Sequence, residues 1–531
     1  ICQGDTIVDP QFIENANLKT FDYVVANPPF SDKRWANGII PEQDKFERFQ
    51  PFGIPPAKQG DYAYMLHIIR SLKSNGKGAV ILPLGVLFRG NVEETIRKNI
   101  LNRGYIKAII GLPPNLFFGT GIPACIIILE KSEASARDSV FMINASEGFI
   151  KDGPKNRLRE MDIRRIVDAY KQGDDITGYA RLVSMEEIIK QDYNLNISRY
   201  IQSHKTEDIQ DIEAHLNGGI PESDIDVLSD YWRVFGNLKD VLFKNNRQGY
   251  LSFNVSINLL NEKILNHSDY TTFKTKTEKH FDVWSVKLSD SLKMLQKGIN
   301  PKEEIKNLSG DLFSHYTKQP LINPYDIYQL IMDYWEDVLA DDFHLIAANG
   351  WSAKPHRIFK KIKQGSKKGQ EKDVGWDCDL LPKNLLISHT FLDKRLELNK
   401  RYDKLQMAEA YLHKMLEEQS LENGVFADFD KVNVKEVNAR IKEIRGSYEF
   451  ADELSVLNDW SNKTKAIAAL KKQIKEQEEV LDKEVLKYYT NLTEPEIKEI
   501  VVHKKWLTSL KIMIADAYQE VLESLIERLK D

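Results

Sequence analysis

Short apolar runs alternate with segments of helical apolar spacing over residues 1–203. The runs that predict strands are residues 21–26, 79–82, 106–112, 124–129 and 140–143, and the segments that predict helices are 61–73 and 92–101. Continuous apolar runs are typical of strands that are buried on both faces. The strand–helix–strand succession predicts a doubly wound, Rossmann-like α/β sheet. In such a sheet, ligands bind outside the carboxyl ends of the strands.

The second half of the chain has a different pattern. Residues 204–384 are mixed, polar and mostly helical in pattern, and residues 385–531 predict long coiled-coil-like helices. Their apolar stripes are Phe391, Leu398, Leu405 and Leu412; Ile467, Ile474, Leu481 and Tyr488; and Leu507, Leu510, Ile514, Ala517 and Val521. Seven-residue spacing places side chains on one helix seam. The stripes predict either a self-contained helical bundle or an arm that docks another subunit.

Composition and charge narrow the classes of protein. The cysteines Cys2, Cys125 and Cys378 lack the spacing of a metal site or a disulfide framework, so we expect no metal and a reducing cytoplasm. No apolar run has the length of a membrane span, so we expect no membrane association. Residue 1 is Ile, and the opening Ile-Cys-Gln-Gly-Asp has the pattern of a strand end. We therefore expect the chain to be part of a longer one.

The net charge of −5 requires any contact with a polyanion to come from a local patch or from a partner. One basic run is present: Lys354, His356, Arg357, Lys360, Lys361, Lys363, Lys367 and Lys368. Such a run either contacts phosphates or is simply solvated.

The most informative motif is Asn27-Pro28-Pro29-Phe30, directly after the predicted strand 21–26. The amino group of an adenine is a poor nucleophile, because its lone pair is delocalised into the ring. Two acceptors, the Asn27 side-chain oxygen and the Pro28 carbonyl, can bind its hydrogens and favour a pyramidal nitrogen. Consecutive prolines make the cradle rigid. Phe30 offers a face for a base rotated out of a duplex, where stacking contributes about 1–3 kcal/mol. The plainer alternative is a strand-ending turn.

A carboxylate precedes this motif, in Gly4-Asp5-Thr6. Asp5 can accept a hydrogen bond from the adenine amino group of a nucleotide-like cofactor. The alternative is that Asp5 caps a turn.

Residues 3–201 resemble the catalytic domain of type I modification subunits, which transfer a methyl group from S-adenosylmethionine to adenine N6 in double-stranded DNA. The stretches that carry the resemblance are QGDTI, FDYVVANPPFSDKRW, GDYAYMLHIIRSLKSNGKGAVILPLGVLFRG, EETIRKNIL, AIIGLPPNLFFGTGIPACIIIL and LNISRYI. The resemblance implies a methyltransferase that works with a specificity subunit and a restriction subunit. It makes residues 1–203 the methyltransferase domain, residues 204–384 a linking region and residues 385–531 a helical docking region.

Individual roles follow from the same resemblance. Asn27, Pro28, Pro29 and Phe30 become the catalytic and base-holding positions, and Asp5 becomes the contact with the cofactor's adenine. Phe117 or Phe118 in NLFFGTGIP matches a second aromatic against the target base, unless both are core side chains. The family's glycine-rich cofactor loop precedes Asp5 and is not in this sequence, so we expect a sheet that is incomplete at the N-terminus.

Other readings stay open. The chain can be a non-catalytic assembly fragment that acts through its helical C-terminus. It can also be an amino-methyltransferase for cytosine N4 or protein glutamine, because Asn-Pro-Pro-aromatic motifs serve planar amines in general. We expect His67 to be a packed helical side chain, and Arg89 with Gly90 to shape a turn.

Overall fold

The computed structural model describes residues 1–202, 211–361 and 369–530. The chain folds as two compact units, one of Ile1–Leu260 with Leu312–Met332 and the other of Asn261–Asp311 with Asp333–Asp531. The predicted division after residue 203 falls outside the described residues. That division and the one after residue 384 stay predictions.

A six-stranded mixed sheet is the centre of the first unit. The strands up to residue 202 are β1 Ile13–Glu14, β2 Asn17–Leu18, β3 Phe21–Ala26, β4 Leu72–Pro83, β5 Ile106–Gly111, β6 Ala124–Glu130, β7 Ser139–Asn144, β8 Ile150–Asp152, β9 Lys155–Arg157 and β10 Ala180–Ser184. The sheet order is β10-β7-β5-β6-β4-β3, and the pairs β3/β4 and β5/β7 are parallel. β6 is antiparallel to both neighbours, because residues 112–123 return the chain directly without a crossover helix.

Helices cover both faces of this sheet. They are α1 Asp61–Arg70, α2 Val92–Asn102, α3 Glu160–Gln172 and α4 Met185–Lys190. Successive residues of β5 point to opposite faces: Ile109 packs in the core that includes α1 and α2, whereas Ala108 and Ile110 pack in the core that includes α3. The doubly wound α/β prediction is therefore confirmed. β3 forms one edge of the sheet, where Tyr23 and Val25 are exposed.

The rest of the chain is mainly helical, as predicted. Its strands are β11 Ile220–Pro221, β12 Phe243–Arg247, β13 Tyr250–Phe253, β14 His356–Lys361 and β15 Glu371–Asp377. Its helices are α5 Ile212–Asn217, α6 Glu222–Asp226, α7 Ser229–Val234, α8 Gly236–Leu242, α9 Leu260–Leu265, α10 Ser268–Lys293, α11 Pro301–Tyr316, α12 Pro324–Tyr334, α13 Ala340–Asn349, α14 Lys383–Thr390, α15 Leu392–Gln419, α16 Val434–Ile444, α17 Ala451–Tyr489, α18 Glu494–Glu499 and α19 Thr508–Lys530. Among the described residues, no helix combines the length and the apolar character needed to cross a membrane.

Two of the three predicted apolar stripes bury each other, and the third packs on another helix. α15 and α17 form an antiparallel hairpin in which Leu398 and Leu405 pack against Ile467 and Ile474. At its base the Phe391 and Tyr488 rings lie 5.7 Å apart, centroid to centroid. The third stripe packs on α10, where the rings of Phe273 and Tyr518 are in edge contact. These seams are therefore buried within the helical region, as the alternative of a self-contained helical bundle predicts. Docking of another subunit stays a prediction, and it would have to use the outer surface of the region.

Part of the basic run lies on a two-stranded ribbon. β14 and β15 pair antiparallel, with Lys360 directly opposite Lys372, and both strands are mostly exposed. Like charges in direct opposition destabilise a strand pair. Lys363, Lys367 and Lys368 lie outside the described residues.

Candidate active site

The carboxyl ends of four strands meet at one edge of the sheet. β3 is parallel to β4 and β5 is parallel to β7, while β6 runs antiparallel between β4 and β5, so all four end on the same side. The loops at this edge begin at residues 27, 84, 112 and 145. The predicted base-holding motif and the predicted second aromatic segment therefore face a common space.

Asn27 follows the last residue of β3 and is exposed at this edge. In the described part of the chain, its side-chain amide has no hydrogen-bond partner and remains available to a ligand. Pro28 and Phe30 are half-buried and Pro29 is exposed. This alternation holds the motif against the sheet while presenting the Asn27 side chain to solvent.

Phe30 meets Phe117, the predicted second aromatic. The two ring centroids are 5.4 Å apart with an interplanar angle of 69°, an edge-to-face contact. Phe118 is 94% exposed and takes no part in this contact. Phe117 also packs against the core on the α3 face. It is therefore partly a core side chain and also contacts Phe30, which the sequence had left as alternatives. Which of them holds a target base stays a prediction, and the geometry favours Phe117.

A lysine holds the loop that carries Phe117. Lys155 Nζ donates hydrogen bonds to the Phe117 carbonyl at 2.7 Å, to the Thr120 carbonyl at 3.0 Å and to Asn115 Oδ1 at 3.1 Å. The neighbouring Asn156 donates its side-chain amide to the Pro114 carbonyl at 2.8 Å. The β8–β9 hairpin thus ties down a loop of irregular backbone.

A buried carboxylate holds the residue after Phe30. Asp61, the first residue of α1, is fully buried and accepts a hydrogen bond from the Ser31 backbone N–H at 2.7 Å. Its other oxygen accepts from Arg89 at 2.9 Å and from the Gln59 side chain at 3.0 Å. Arg89 also pairs with Glu93 at 3.0 Å, and burial raises the pKa of that carboxyl. Arg89, which the sequence assigned only to a turn, therefore binds the carboxylates of both Asp61 and Glu93.

Sequence reasoning missed Asp61. The residue lies inside the quoted stretch GDYAYM, and an acidic residue at the start of a predicted helix is ordinarily assigned to the helix dipole. Its partner Ser31 is 30 positions away, and no local pattern links the two residues.

Asp5 caps a turn, which was the alternative to cofactor binding, and it does so with one of its two carboxylate oxygens. Its Oδ1 accepts from the backbone N–H groups of Ile7 and Val8, both at 2.9 Å. Asp5 is exposed, and its Oδ2 has no partner in the described part of the chain. A carboxylate with one oxygen engaged and one free fits the amino group of an adenine.

Tyr64 contacts the loop that follows Phe30. The Tyr64 hydroxyl donates to Asp32 Oδ2 at 3.0 Å. Burial raises the pKa of Tyr64 well above its usual range, and the nearby carboxylates of Asp32 and Asp5 raise that pKa further.

His67 lies away from this edge, on α1. Its ring contacts the buried Arg48 at 3.2 Å, and Arg48 in turn donates to the Ile7 carbonyl and pairs with Asp44. Burial, with the charge of Arg48, lowers the pKa of His67 to about 4. These contacts are those of the packed side chain that the sequence suggested. Within residues 1–202, 211–361 and 369–530, no cluster of three or more His, Cys, Asp or Glu side chains could hold a metal ion.

The first part of the chain is similar in sequence to known proteins. The family model described as N-6 DNA Methylase matches residues 1–209. The methylase subunit of the type I restriction enzyme MjaVIII from Methanocaldococcus jannaschii is 33% identical over 225 residues, which cover 40% of this chain and 39% of that protein. The methylase subunit of MpnII from Mycoplasma pneumoniae is 30% identical over 227 residues, covering 42% and 41%.

Among solved structures, the type I restriction-modification methyltransferase subunit from Streptococcus thermophilus is 42% identical and covers 37% of this chain and 41% of its own, with a TM-score of 0.34. The chain thus spans about two-fifths of the length of the curated relatives it matches. The sequence of residues 1–209 is therefore similar to the N-6 DNA methylase family and to the methylase subunits of type I restriction enzymes.

Proposed function

We propose that this protein is the modification subunit of a type I restriction-modification complex. In this role it transfers a methyl group from S-adenosylmethionine to N6 of an adenine rotated out of double-stranded DNA. The observation that carries the proposal is Asn27-Pro-Pro-Phe at the carboxyl end of β3, with Phe30 against Phe117, inside an N-6 methylase domain.

The free amide of Asn27 gives the motif its chemistry. Its Oδ1 and the Pro28 carbonyl accept hydrogen bonds from the two amino hydrogens of the target adenine. Two acceptors placed on one side of the nitrogen would favour a pyramidal geometry and return the lone pair to N6. S-adenosylmethionine, when bound, supplies a methyl group activated by a sulfonium centre. Asp5 Oδ2 would accept from the adenine amino group of that cofactor.

The aromatic pair would hold the base. Carbon atoms in contact are about 3.5 Å apart, so a purine stacked on both faces needs roughly 7 Å between the two walls. The edge-to-face contact of Phe30 and Phe117 leaves less space than this. One ring must therefore move when a base enters. Phe117 is the better candidate, because its loop contains Gly119 in a left-handed conformation and is held by the half-buried Lys155, whereas Ser31 after Phe30 is held by the fully buried Asp61.

The partners follow from the family resemblance and from charge. The protein would work with a specificity subunit, which selects the DNA sequence, and with a restriction subunit. A chain of net charge −5 gains little general attraction to DNA, and a partner that carries the duplex to the site overcomes this deficit.

Methylation in cells tests the proposal. The protein is expressed with its specificity partner in a host that lacks adenine methylases, and nucleosides from the DNA are analysed by mass spectrometry. We expect N6-methyladenine, and sequencing of the modified positions gives the recognition site. An Asn27→Ala protein is the matched control. N4-methylcytosine or methylglutamine would favour the amino-methyltransferase alternatives. The absence of any methyl mark from a properly assembled complex would favour a non-catalytic assembly role.

A further inference from the structure

Three hydrogen-bond donors converge on one buried carboxylate beside the Asn27-Pro-Pro-Phe loop. Asp61 Oδ1 faces the Ser31 backbone N–H at 2.7 Å, and Oδ2 faces Arg89 at 2.9 Å and Gln59 at 3.0 Å. Asp61 is fully buried, so water cannot replace any of these partners. Gln59 also donates to the Ser31 hydroxyl at 3.0 Å, which adds a second link to the same residue.

Only an acceptor satisfies this arrangement. An ionised carboxylate offers two acceptor oxygens, whereas an amide offers one oxygen and an NH2 group that can only donate. With asparagine at position 61, either Ser31 or the pair Arg89 and Gln59 would face a donor. Substitution by the nearly isosteric amide would therefore break one side of the arrangement without leaving a cavity.

The Ser31 contact bears directly on Phe30. Ser31 has φ of +53°, a left-handed backbone conformation that costs free energy for a residue with a Cβ. The hydrogen bond to Asp61 offsets that cost and fixes the turn immediately after Phe30. The direction of the Phe30 ring and the path of the preceding prolines depend on this turn.

We propose that Asp61 is a positioning residue for methyl transfer. It holds the Ser31 turn so that Phe30 forms the fixed wall of the target-base site, and Arg89 and Gln59 keep its charge in place. This inference rests on the proposed function, but the residue itself touches neither base nor methyl donor.

Glu93 provides a matched control. It is buried like Asp61, and it pairs with the same Arg89 at 3.0 Å. It makes no contact with Ser31 among the described residues. Glu93→Gln therefore removes a carboxylate from the same arginine and leaves the turn after Phe30 intact.

The test uses assembled wild-type and variant complexes and the DNA site found in the methylation experiment. Rates are measured with adenine at the target position. Base flipping is measured separately with 2-aminopurine at that position, because 2-aminopurine has no 6-amino group to methylate. This base fluoresces strongly when it leaves the stack. For Asp61→Asn we expect a kcat roughly 10- to 100-fold below wild type, the range for losing a hydrogen bond to a charged group. The fluorescence rise on binding should also fall, while the KM for DNA changes little. Glu93→Gln should stay within about threefold of wild type.

Melting temperatures establish that each variant is folded at the assay temperature. If Asp61→Asn does not fold, Gln59→Met is the second variant, because it removes a neutral donor; its expected loss in kcat is about three- to tenfold. Equal losses for Asp61→Asn and Glu93→Gln would mean that both act through Arg89 and would overturn the proposal. Wild-type kcat and fluorescence in folded Asp61→Asn would also overturn it. An inactive wild type, in contrast, would count against the proposed function itself.

Discussion

Replacing Lys155 with methionine should loosen one wall of the site and leave the fold intact. Methionine keeps most of the aliphatic chain and removes the ammonium group that bonds to Phe117, Thr120 and Asn115. The backbone at Asn115 keeps its own bonds to the β8–β9 hairpin, including the 3.0 Å contact from the Asn156 N–H. The loss should therefore be confined to residues 117–121.

The size of the effect follows from the three contacts. A hydrogen bond from a charged donor contributes about 1.5–3 kcal/mol when buried. Lys155 is only half-buried, and solvent and side-chain entropy reduce its contribution, so we take about 2 kcal/mol for the set. At 1.4 kcal/mol per factor of ten, the loop should open about 30-fold more often.

Hydrogen exchange measured by mass spectrometry reports how often the loop opens. Amides in a peptide spanning residues 112–123 should exchange about 30-fold faster in Lys155→Met, whereas amides of the central strands keep their protection. Lys151→Met is the control, because Lys151 is exposed on the neighbouring strand of the same hairpin. Its ammonium group has no hydrogen-bond or ion-pair partner among the described residues. Unchanged exchange in Lys155→Met, or an equal change in both variants, would refute the conclusion that Lys155 holds the loop of residues 117–121 in place.

Four further predictions concern the site, acid stability and DNA affinity. Asn27→Ala should abolish N6-methyladenine formation without lowering the melting temperature; retained activity would exclude the acceptor role. Phe30→Trp should keep most activity and Phe30→Ala should lose roughly tenfold, because stacking contributes about 1–3 kcal/mol, and equal rates for the two would contradict stacking. The pKa of His67 is about 4 when folded and about 6.5 when unfolded, so the unfolded chain takes up the proton first. Up to about 3 kcal/mol of stability is lost as the pH falls from 6.5 to 4, and His67→Gln should flatten that slope in urea titrations. Lys360→Glu with Lys372→Glu should weaken DNA binding and reduce its salt dependence; an unchanged salt slope would mean that the ribbon is simply solvated.

The sequence predicted those parts of the fold that local patterns determine. All five apolar runs became strands of the central sheet. β5, β6 and β7 are largely buried on both faces, which requires apolar side chains throughout, whereas β3 is an edge strand with Tyr23 and Val25 exposed. The predicted helix 61–73 ends instead at Arg70, and β4 begins at Leu72, earlier than its apolar part. β10 was missed, because this edge strand is not a continuous apolar run: Arg181 and Ser184 are polar, and only Ala180 and Val183 are buried. The direction of β6 depends on how a loop returns, which hydrophobicity does not encode.

The site shows the same division between local and distant information. The position of the motif Asn27 to Phe30 at the end of a strand could be predicted, because the motif and the strand are contiguous in the sequence. Phe117 and Phe118 could not be separated by sequence, since adjacent side chains point in different directions and only the packing determines which one meets Phe30. The contact of Asp61 with Ser31 was missed for a related reason, because it uses a backbone N–H that any residue at position 31 other than proline would supply.

The helical region shows what a seven-residue repeat leaves open. Such a stripe specifies a seam on one helix but not the seam that covers it. Here α15 and α17 cover each other, and cross-helix polar contacts such as Lys471 with Glu409 and Tyr402 with Glu478 flank the buried seam. The apolar surface that an incoming helix would have used is therefore already occupied. A subunit that docks on the outside of this hairpin must recognise a surface rich in charged side chains, and ion pairs between exposed side chains are weak and screened by salt. Assembly through the outer face of this hairpin is therefore expected to weaken as the ionic strength rises, whereas assembly through an open apolar groove would not.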